Sequence, residues 1–193
     1  MIRKAIAHDY SALMHIKHTL GLEVSYLDDL DYKVKMQKAG FLLKTPSYTP
    51  EEFQIDLDKI FLVYEDNGKA VGFIRIDEIQ EIDRTAKAWW NMPEIQDAYF
   101  SLPHADIGGI AVLPEVANRG VATDLLNRAI DEIRNKNIPY LFSLVVVSPI
   151  TNTPSILFHE KNGFQRLALV TEPDYFEYKQ YQSIIYGKSL SNA

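Results

Sequence analysis

The turn between a predicted strand and a predicted helix, near the middle of the chain, carries the residues best suited to hold an anion. Its sequence is Asn118-Arg119-Gly120-Val121-Ala122. A helix that begins at a glycine turn presents unpaired N–H groups and the positive end of its dipole to an anion. Gly120 and Ala122 allow close approach to the backbone, and Arg119 can add a charge-assisted hydrogen bond. These residues predict a phosphate-binding loop.

The elements on either side of this turn have the patterns needed to position it. Residues 107–113 are apolar and β-compatible, as in a buried strand, and Pro114 ends that strand because proline cannot donate to a ladder. After the turn, apolar residues recur on one helical stripe, which predicts an amphipathic helix from Val121 onward. The stripe consists of Val121, Leu125, Leu126, Ala129, Ile130 and Ile133.

Two common nucleotide-binding loops are missing from the sequence. A Walker loop requires GxxxxGKS or GxxxxGKT, and the only Gly-Lys-Ser run, which begins at Gly187, has Gln182 where the first glycine should stand. The dinucleotide pattern GxGxxG is also absent. Phosphoryl transfer from a nucleotide is therefore disfavoured.

The loop and the strand before it resemble the central motif of the GNAT family of N-acetyltransferases. The family pattern Q/R-x-x-G-x-G/A follows a strand that ends in a phrase like IAVLPE; here residues 110–115 read IAVLPE and residues 117–122 read ANRGVA. Ala117 replaces the usual Gln or Arg. Residues 152–164, NTPSILFHEKNGF, are similar to a second family motif, N-x-x-A-x-x-L-Y-E-K-L-G-F.

This resemblance implies one domain, residues 1–193, of class α/β (α+β). The expected GNAT acyl-CoA N-acyltransferase fold has a central mixed, mostly antiparallel sheet with splayed parallel central strands, flanked by helices. It also implies acetyl-CoA as cosubstrate, with the pantetheine arm along the strand and the pyrophosphate on the loop amides. Asn152 would touch the pantetheine or acetyl region, or would instead cap the helix that starts at Pro154. The other implied cofactor contacts are Ile110, Ala111, Val112, Arg119, Gly120, Val121, Ala122 and Thr123.

Acetyl transfer to an amine requires a proton acceptor, because a free alkylamine titrates near ~10.4 and only its neutral form attacks. The resemblance places Asp106 near the glutamate base of histone-acetylating members, and the alternative is an edge or capping carboxylate. His159 takes the place of the tyrosine that usually protonates the leaving thiolate. A histidine titrates at about 6.5 and can donate a proton. The alternative is that His159 is a spectator and that water or a tyrosine protonates the thiolate.

The acceptor is expected to bind an acidic and aromatic segment, residues 171–178. Glu172, Asp174 and Tyr175 would recognise a cationic amine, and the alternative is an exposed acidic loop. A small amine or polyamine, an amino-acid derivative, and the lysine or N-terminus of a peptide all remain open as acceptors.

Composition limits the other partners. A net charge of −6 and a pI near 5.4 disfavour nucleic-acid binding. We find no membrane-length apolar run, no signal-peptide pattern and no cysteine, and so expect a cytoplasmic protein without a metal site. The resemblance is compatible with a homodimer.

The predicted function is an acyltransferase reaction in which a primary amine attacks acetyl-CoA directly in a ternary complex. The alternative is a non-catalytic acyl-CoA-binding sensor or scaffold, which the departures at Ala117 and His159 keep open.

Further elements follow from periodicity and turn residues. Residues 80–104 are expected to be partly helical and to form a packed flap, a dimer contact or a wall of the acceptor pocket. The predicted strands are 1–8, 60–64, 70–79, 140–147, 164–170 and 181–189, and the predicted helices end at Leu20, cover 27–39, begin at Thr49 or Pro50, and cover 155–162. Asp66-Asn67-Gly68 predicts a hairpin turn between the strands 60–64 and 70–79.

Overall fold

The computed structural model describes residues 1–44, 48–79, 87–101 and 103–190. The chain divides into two compact units, each assembled from three separate segments. Unit 1 comprises Met1–Gly21, Leu42–Glu78 and Ala105–Ile138, and unit 2 comprises Leu22–Phe41, Ile79–His104 and Pro139–Ala193. Neither unit is a continuous stretch, so no single cut in the sequence separates them.

The secondary structure is mixed, with a mostly antiparallel sheet flanked by helices. In chain order the elements are β1 (Ile2–Lys4), α1 (Tyr10–Leu20), β2 (Gly21–Leu22), α2 (Leu30–Ala39), β3 (Leu42–Leu43), α3 (Pro50–Asp56), β4 (Ile60–Asp66), β5 (Lys69–Ile79), β6 (Lys87–Trp90), α4 (Gln96–Tyr99), β7 (His104–Val112), α5 (Val121–Asn135), β8 (Tyr140–Ser148), α6 (Thr153–Lys161), β9 (Gln165–Tyr175) and β10 (Tyr178–Ser189).

The sheet of unit 1 has the strand order β1-β4-β5-β7. Strands β4 and β5 form the predicted hairpin, with Asn67 and Gly68 at positive φ of 48° and 77°. Residues at these angles suit a tight turn because glycine and asparagine tolerate the left-handed region. The hairpin prediction is confirmed.

Both faces of the unit 1 sheet are covered, as the apolar sequence of β5 predicts. On one face the rings of Tyr10, Phe53, Phe61 and Phe73 follow one another at centroid distances of 5.6, 5.7 and 5.9 Å, and so join α1 and α3 to β4 and β5. Other core residues include Ile74 and Ile76, both fully buried, and the whole predicted stripe of α5, which is at most 5% exposed.

The sheet of unit 2 has the order β8-β10-β9-β6, and its described strand pairs are antiparallel. The predicted strands 164–170 and 181–189 pair as expected, but the alternative of an exposed acidic loop over residues 171–178 is wrong. Strand β9 continues to Tyr175, β10 begins at Tyr178, and these two residues pair across a two-residue turn at Phe176 and Glu177. The extension was missed because pairing between the two strands continues the ladder into a polar sequence, in which no alternation of apolar residues marks a strand.

The segment before β7 is only partly helical. Within residues 87–101 it forms the edge strand β6, a 3-10 turn over Pro93–Ile95 and the single-turn helix α4. Tyr99 of α4 packs edge-to-face on Phe142 of β8, with ring centroids 4.9 Å apart, so this part of the segment is packed against the sheet of unit 2. Residues 80–86 and 102 of the predicted flap lie outside the described residues. None of the described helices is long and apolar enough to cross a membrane.

Candidate functional site

The predicted phosphate-binding loop has the backbone conformation that anion binding requires. Gly120 is the N-cap of α5 with φ 84°, and no side chain caps this helix end. A Cβ built at Gly120 would meet nothing within 4 Å, so the space above the turn is open. The first-turn amides of α5, at Val121, Ala122 and Thr123, have no intrahelical partners. The loop therefore fits a phosphate group at the positive end of a 15-residue helix.

The strand that leads to this loop is held closely against β5. The Leu113 amide donates to the Val71 carbonyl at 2.8 Å, and a Cβ at Gly72 would lie 3.1 Å from the Ala111 carbonyl oxygen. Ile110, Ala111 and Val112 lie at the end of β7, in the strand that precedes the α5 loop. The structure thus brings the predicted pantetheine contacts and the predicted phosphate contacts together in unit 1.

Two consecutive glycines of β7 face the same side of β5. A Cβ at Gly108 would lie 2.0 Å from Asp77 Oδ2, and one at Gly109 would lie 3.4 Å from the Phe73 ring. Phe73 and Asp77 share one face of β5, because side chains alternate along a strand, so β7 is irregular here in the manner of a β-bulge. Asp106, the predicted base, is half-buried in β7 two residues before Gly108.

A cluster of charged side chains lies on the face of β5 that carries Phe73 and Asp77. This cluster was not identified from the sequence. Asp56, only 5% exposed, accepts hydrogen bonds from Tyr48 and from Arg75 Nη1 at 2.7 Å, and Lys59 Nζ lies 2.8 Å from its other oxygen. Burial would raise the pKa of Asp56, but the hydrogen bonds from Lys59 and Tyr48 and the charge of Arg75 hold it below its usual value.

This cluster continues toward β7. Arg75 Nη2 and Lys59 Nζ contact the two carboxylate oxygens of Asp77 at 3.0 and 2.8 Å, and Asp77 is the side chain that leaves no room for a Cβ at Gly108. The signal available in the sequence was Arg75 itself, a charge between the buried apolar residues Ile74 and Ile76. Its partner Asp77 lies on the same strand, but the pairing with Asp56 could not be predicted from the sequence, because Asp56 belongs to α3.

In unit 2, Asn152 is the N-cap of α6. Its Oδ1 accepts the Ser155 amide at 3.3 Å, and its Nδ2 donates to the Phe41 carbonyl at 2.8 Å. The side chain is 8% exposed. Both ends of the amide are therefore engaged within the protein, which favours the capping alternative over a cofactor contact.

His159 lies inside an aromatic cluster of unit 2. Its ring stacks on Tyr186 at 5.2 Å and meets Phe164 edge-to-face at 5.1 Å, and the residue is 1% exposed. Nδ1 donates to the Ser155 carbonyl at 2.7 Å, which fixes the neutral tautomer, and Nε2 has no hydrogen-bond partner. Burial lowers the pKa of His159 to about 4, despite the opposing effect of the bond to Ser155. These properties are those of a packing residue rather than a proton donor.

The predicted acceptor residues lie on the β9–β10 hairpin of unit 2. Tyr175 stacks on Tyr181 at 4.5 Å, and the Asp174 carboxylate pairs with exposed Lys179 at 2.8 Å. Glu172 lies on the same strand as Asp174, two residues away, so the two side chains share a face. Burial raises the pKa of Tyr181 to about 12, and Tyr178 is fully buried and donates to the Leu22 carbonyl. Neither of these two tyrosines is suited to proton transfer.

We predict that Gly108→Ala destabilises the protein through the charged cluster. The added methyl would displace Asp77 and open its ion pairs, at a loss on the order of 1–2 kcal/mol of unfolding free energy in urea titrations. Gly109→Ala is the matched control, because its methyl meets the Phe73 ring at an ordinary 3.4 Å. In an Asp77→Ala background Gly108→Ala should be nearly neutral; an equal loss in both backgrounds would show that the clash is not with Asp77.

We also predict a pH dependence of stability that originates at His159. Its pKa of about 4 in the folded chain lies below the ordinary 6.5, so the unfolded chain binds more protons between these values and stability falls as the pH is lowered through them. The free energy of unfolding should fall by about 3 kcal/mol between pH 7 and pH 4. His159→Phe should remove it from urea-unfolding curves, whereas His15→Gln, at an exposed histidine, should leave it. Parallel pH profiles for wild type and His159→Phe would refute this origin.

Three solved structures illustrate what this chain is similar to. An N-acetyltransferase from Staphylococcus aureus Mu50 is 21% identical, with a TM-score of 0.64 over 99% of this chain and 98% of that one. The Salmonella typhimurium protein yncA, solved with its cofactor acetyl-CoA, is 16% identical, with a TM-score of 0.66 over 100% and 95%. The paia N-acetyltransferase from Thermoplasma acidophilum, in complex with coenzyme A, is 16% identical, with a TM-score of 0.60 over 98% and 98%.

At these identities the structural likeness establishes the fold, which is the one that the sequence motifs predicted. A search of curated protein sequences finds no match. The sequence profile of the Acetyltransferase (GNAT) family matches residues 30–164, well over half of the chain. Acetyl-CoA fits as the cosubstrate, because the open Gly120 turn accommodates a phosphate group and structural relatives hold acetyl-CoA or coenzyme A. The chain belongs to the GNAT family of acetyltransferases.

Proposed function

We propose that this protein is an N-acetyltransferase that transfers the acetyl group of acetyl-CoA to a primary amine by direct attack in a ternary complex. The observation that carries the proposal is the uncapped start of α5, where Gly120 leaves open space in front of the first-turn amides. Acetyl-CoA supplies an activated acetyl group as a thioester. In this proposal Arg119 and the amides of Gly120 through Thr123 hold the pyrophosphate.

The end of β7 would orient the acyl group. Backbone groups of Ile110, Ala111 and Val112 would bond to the pantetheine arm as to an added extended chain. An amide near Ala111 or Val112 would stabilise the charge that develops on the thioester oxygen. Such stabilisation by fixed donors is usually the largest single contribution to lowering the reaction barrier. Backbone donors suit this task because the packing of β7 against β5 fixes them before the substrate arrives.

Asp106 would accept the proton of the attacking amine. It is half-buried and lies in the same strand as the proposed oxyanion donor. An aspartate is one methylene shorter than the glutamate of the family motif, so we expect a bridging water between its carboxylate and the amine. The amine would form the new N–C bond, the C–S bond would break, and the thiolate would leave.

His159 and Asn152 have no catalytic part in this proposal. The Nδ1 proton of His159 is committed to the Ser155 carbonyl, and a group with a pKa of about 4 is deprotonated at neutral pH. We propose that water protonates the thiolate. Glu172, Asp174 and Tyr175 stay proposed acceptor contacts, since a carboxylate pair beside an aromatic ring suits a cationic amine.

Acetyl-CoA binding tests the loop. We expect Gly120→Asn to weaken the affinity measured by calorimetry about tenfold or more, because a side chain would enter the open space where the phosphate binds. Asparagine tolerates the left-handed backbone. Gly68→Asn is the matched control, since Gly68 has φ 77° and likewise nothing within 4 Å of a built Cβ. Equal affinity in both variants would mean that the α5 loop does not hold the cofactor.

Coenzyme A release across a panel of primary amines tests catalysis. We expect Asp106→Asn to lower kcat about 100-fold or more with little change in acetyl-CoA affinity, because it removes the proton acceptor. Asp131→Asn, at an exposed carboxylate of α5, is the control for charge. Tight acetyl-CoA binding without turnover on any amine would instead favour the sensor or scaffold function.

A further inference from the structure

Unit 1 contains a cavity, open to solvent, that the proposed reaction does not use. Its volume is about 260 Å³, and Tyr48, Glu52, Ile55, Asp56 and Arg75 line it. At roughly 30 Å³ per water in the liquid, this is space for about nine waters, enough for a molecule the size of an amino acid. The lining combines both signs of charge, a phenol ring and one apolar side chain.

The negative charge of Asp56 is already satisfied within the protein. Tyr48, Arg75 and Lys59 all donate to its two oxygens. Of the donors on Arg75, Nη1 bonds to Asp56 and Nη2 to Asp77, whereas Nε is buried without a hydrogen-bond partner in the structure. A buried donor without an acceptor costs free energy, so the two carboxylates do not satisfy Arg75 completely.

Lys17 is a second cation close to the cavity, and it is half-buried. Its ammonium lies 3.9 Å from the centroid of the Tyr48 ring, and it forms no ion pair with a carboxylate among residues 1–44, 48–79, 87–101 and 103–190. Burial and the nearby charge of Arg75 lower the pKa of Lys17, and the smaller opposing effects of Asp56 and Glu52 do not offset them. Two cations that repel one another beside a cavity would both be stabilised by an anion placed between them.

Glu52 supplies the opposite charge at the cavity. One of its oxygens accepts the Thr49 amide at 2.8 Å in the capping box of α3, and the side chain is exposed. Over the whole cluster, the cations Lys17, Lys59 and Arg75 balance the anions Glu52, Asp56 and Asp77. A neutral cluster with separated charges suits a zwitterion, and it has no net negative charge to attract a polyamine.

We propose that this cavity binds a small amino acid or a close derivative, with the ligand carboxylate on Lys17 and Arg75 and its ammonium facing Glu52. Its residues differ from the proposed acceptor contacts Glu172, Asp174 and Tyr175, so this inference goes beyond the proposed reaction. Arg75 and Asp77 contact β7 at Gly108, which is two residues, or about 7 Å, from both Asp106 and Ile110. A ligand in this cavity would therefore lie near the strand that carries the proposed base.

The test compares amino acids with their amides, which differ in the carboxylate alone. Calorimetric titration of the full chain with alanine, leucine and glutamate, and with alaninamide and leucinamide, should show the acids binding about tenfold or more tightly than the matching amides. Lys17→Met should abolish this preference, because it keeps the aliphatic contact with Tyr48 and removes the charge. Lys69→Met, an exposed lysine six residues or about 20 Å along β5 from Arg75, should retain it.

A second variant separates binding from folding. Lys17→Arg keeps the positive charge and should retain the preference for the acid, and circular dichroism of both Lys17 variants shows whether the fold persists. Equal affinity for acids and amides in the wild type, or an unchanged preference in folded Lys17→Met, would overturn the inference. If Lys17→Met does not fold, Lys17→Gln takes its place in the same titration.

Acetyl-CoA titration in parallel keeps the two proposals distinguishable. Carboxylate-selective binding without acetyl-CoA binding would support this site and contradict the proposed function. Acetyl-CoA binding together with equal affinity for acids and amides would support the cofactor loop and contradict this site.

Discussion

The arrangement of unit 1 depends on how a single buried carboxylate is compensated. Asp56, at the end of α3, would be unstable in its charged form without donors, and it obtains them from Tyr48, Lys59 and Arg75, which belong to three different parts of the chain. Arg75 is held in turn by Asp77, and their position leaves no room for a side chain on β7 at Gly108. The charge of Asp56 at the end of α3 thus favours glycine at position 108, two residues from the proposed base Asp106.

Sequence patterns were sufficient to predict the elements that depend on interactions between residues close together in the chain. The stripe of α5 and the β4–β5 turn depend on helical periodicity and on residues that tolerate positive φ, and both were predicted correctly. The last two strands were predicted over 164–170 and 181–189, and they do pair, but the tight turn between them was missed because Tyr175 and Tyr178 are paired by cross-strand contacts rather than by an apolar alternation. The charged cluster was missed for a related reason: Asp77 lies on the same strand as Arg75, but the central carboxylate, Asp56, is contributed by α3.

The two GNAT motifs differ in how much of the site they determine. The first motif specifies a backbone conformation, and Gly120 adopts it with φ 84°, so the anion-binding geometry could be predicted from residue types. The second motif specifies side chains whose roles depend on distant partners. Asn152 donates to Phe41, 111 residues away along the chain, and His159 packs on Tyr186. Because of these contacts, the motif asparagine Asn152 caps a helix and His159 packs inside an aromatic cluster.

The departures from the family pattern fall on side chains, whereas the backbone features are retained. Ala117 lacks the polar side chain of the usual residue, but the helix start beyond it stays uncapped and open. His159 cannot serve as an acid in its buried site, yet the packing of β7 against β5 that would fix an oxyanion donor is unaffected. Because preorganised backbone amides provide most of the stabilisation in an acyl transfer of this kind, a chain can lose both side chains and keep the geometry that the reaction requires.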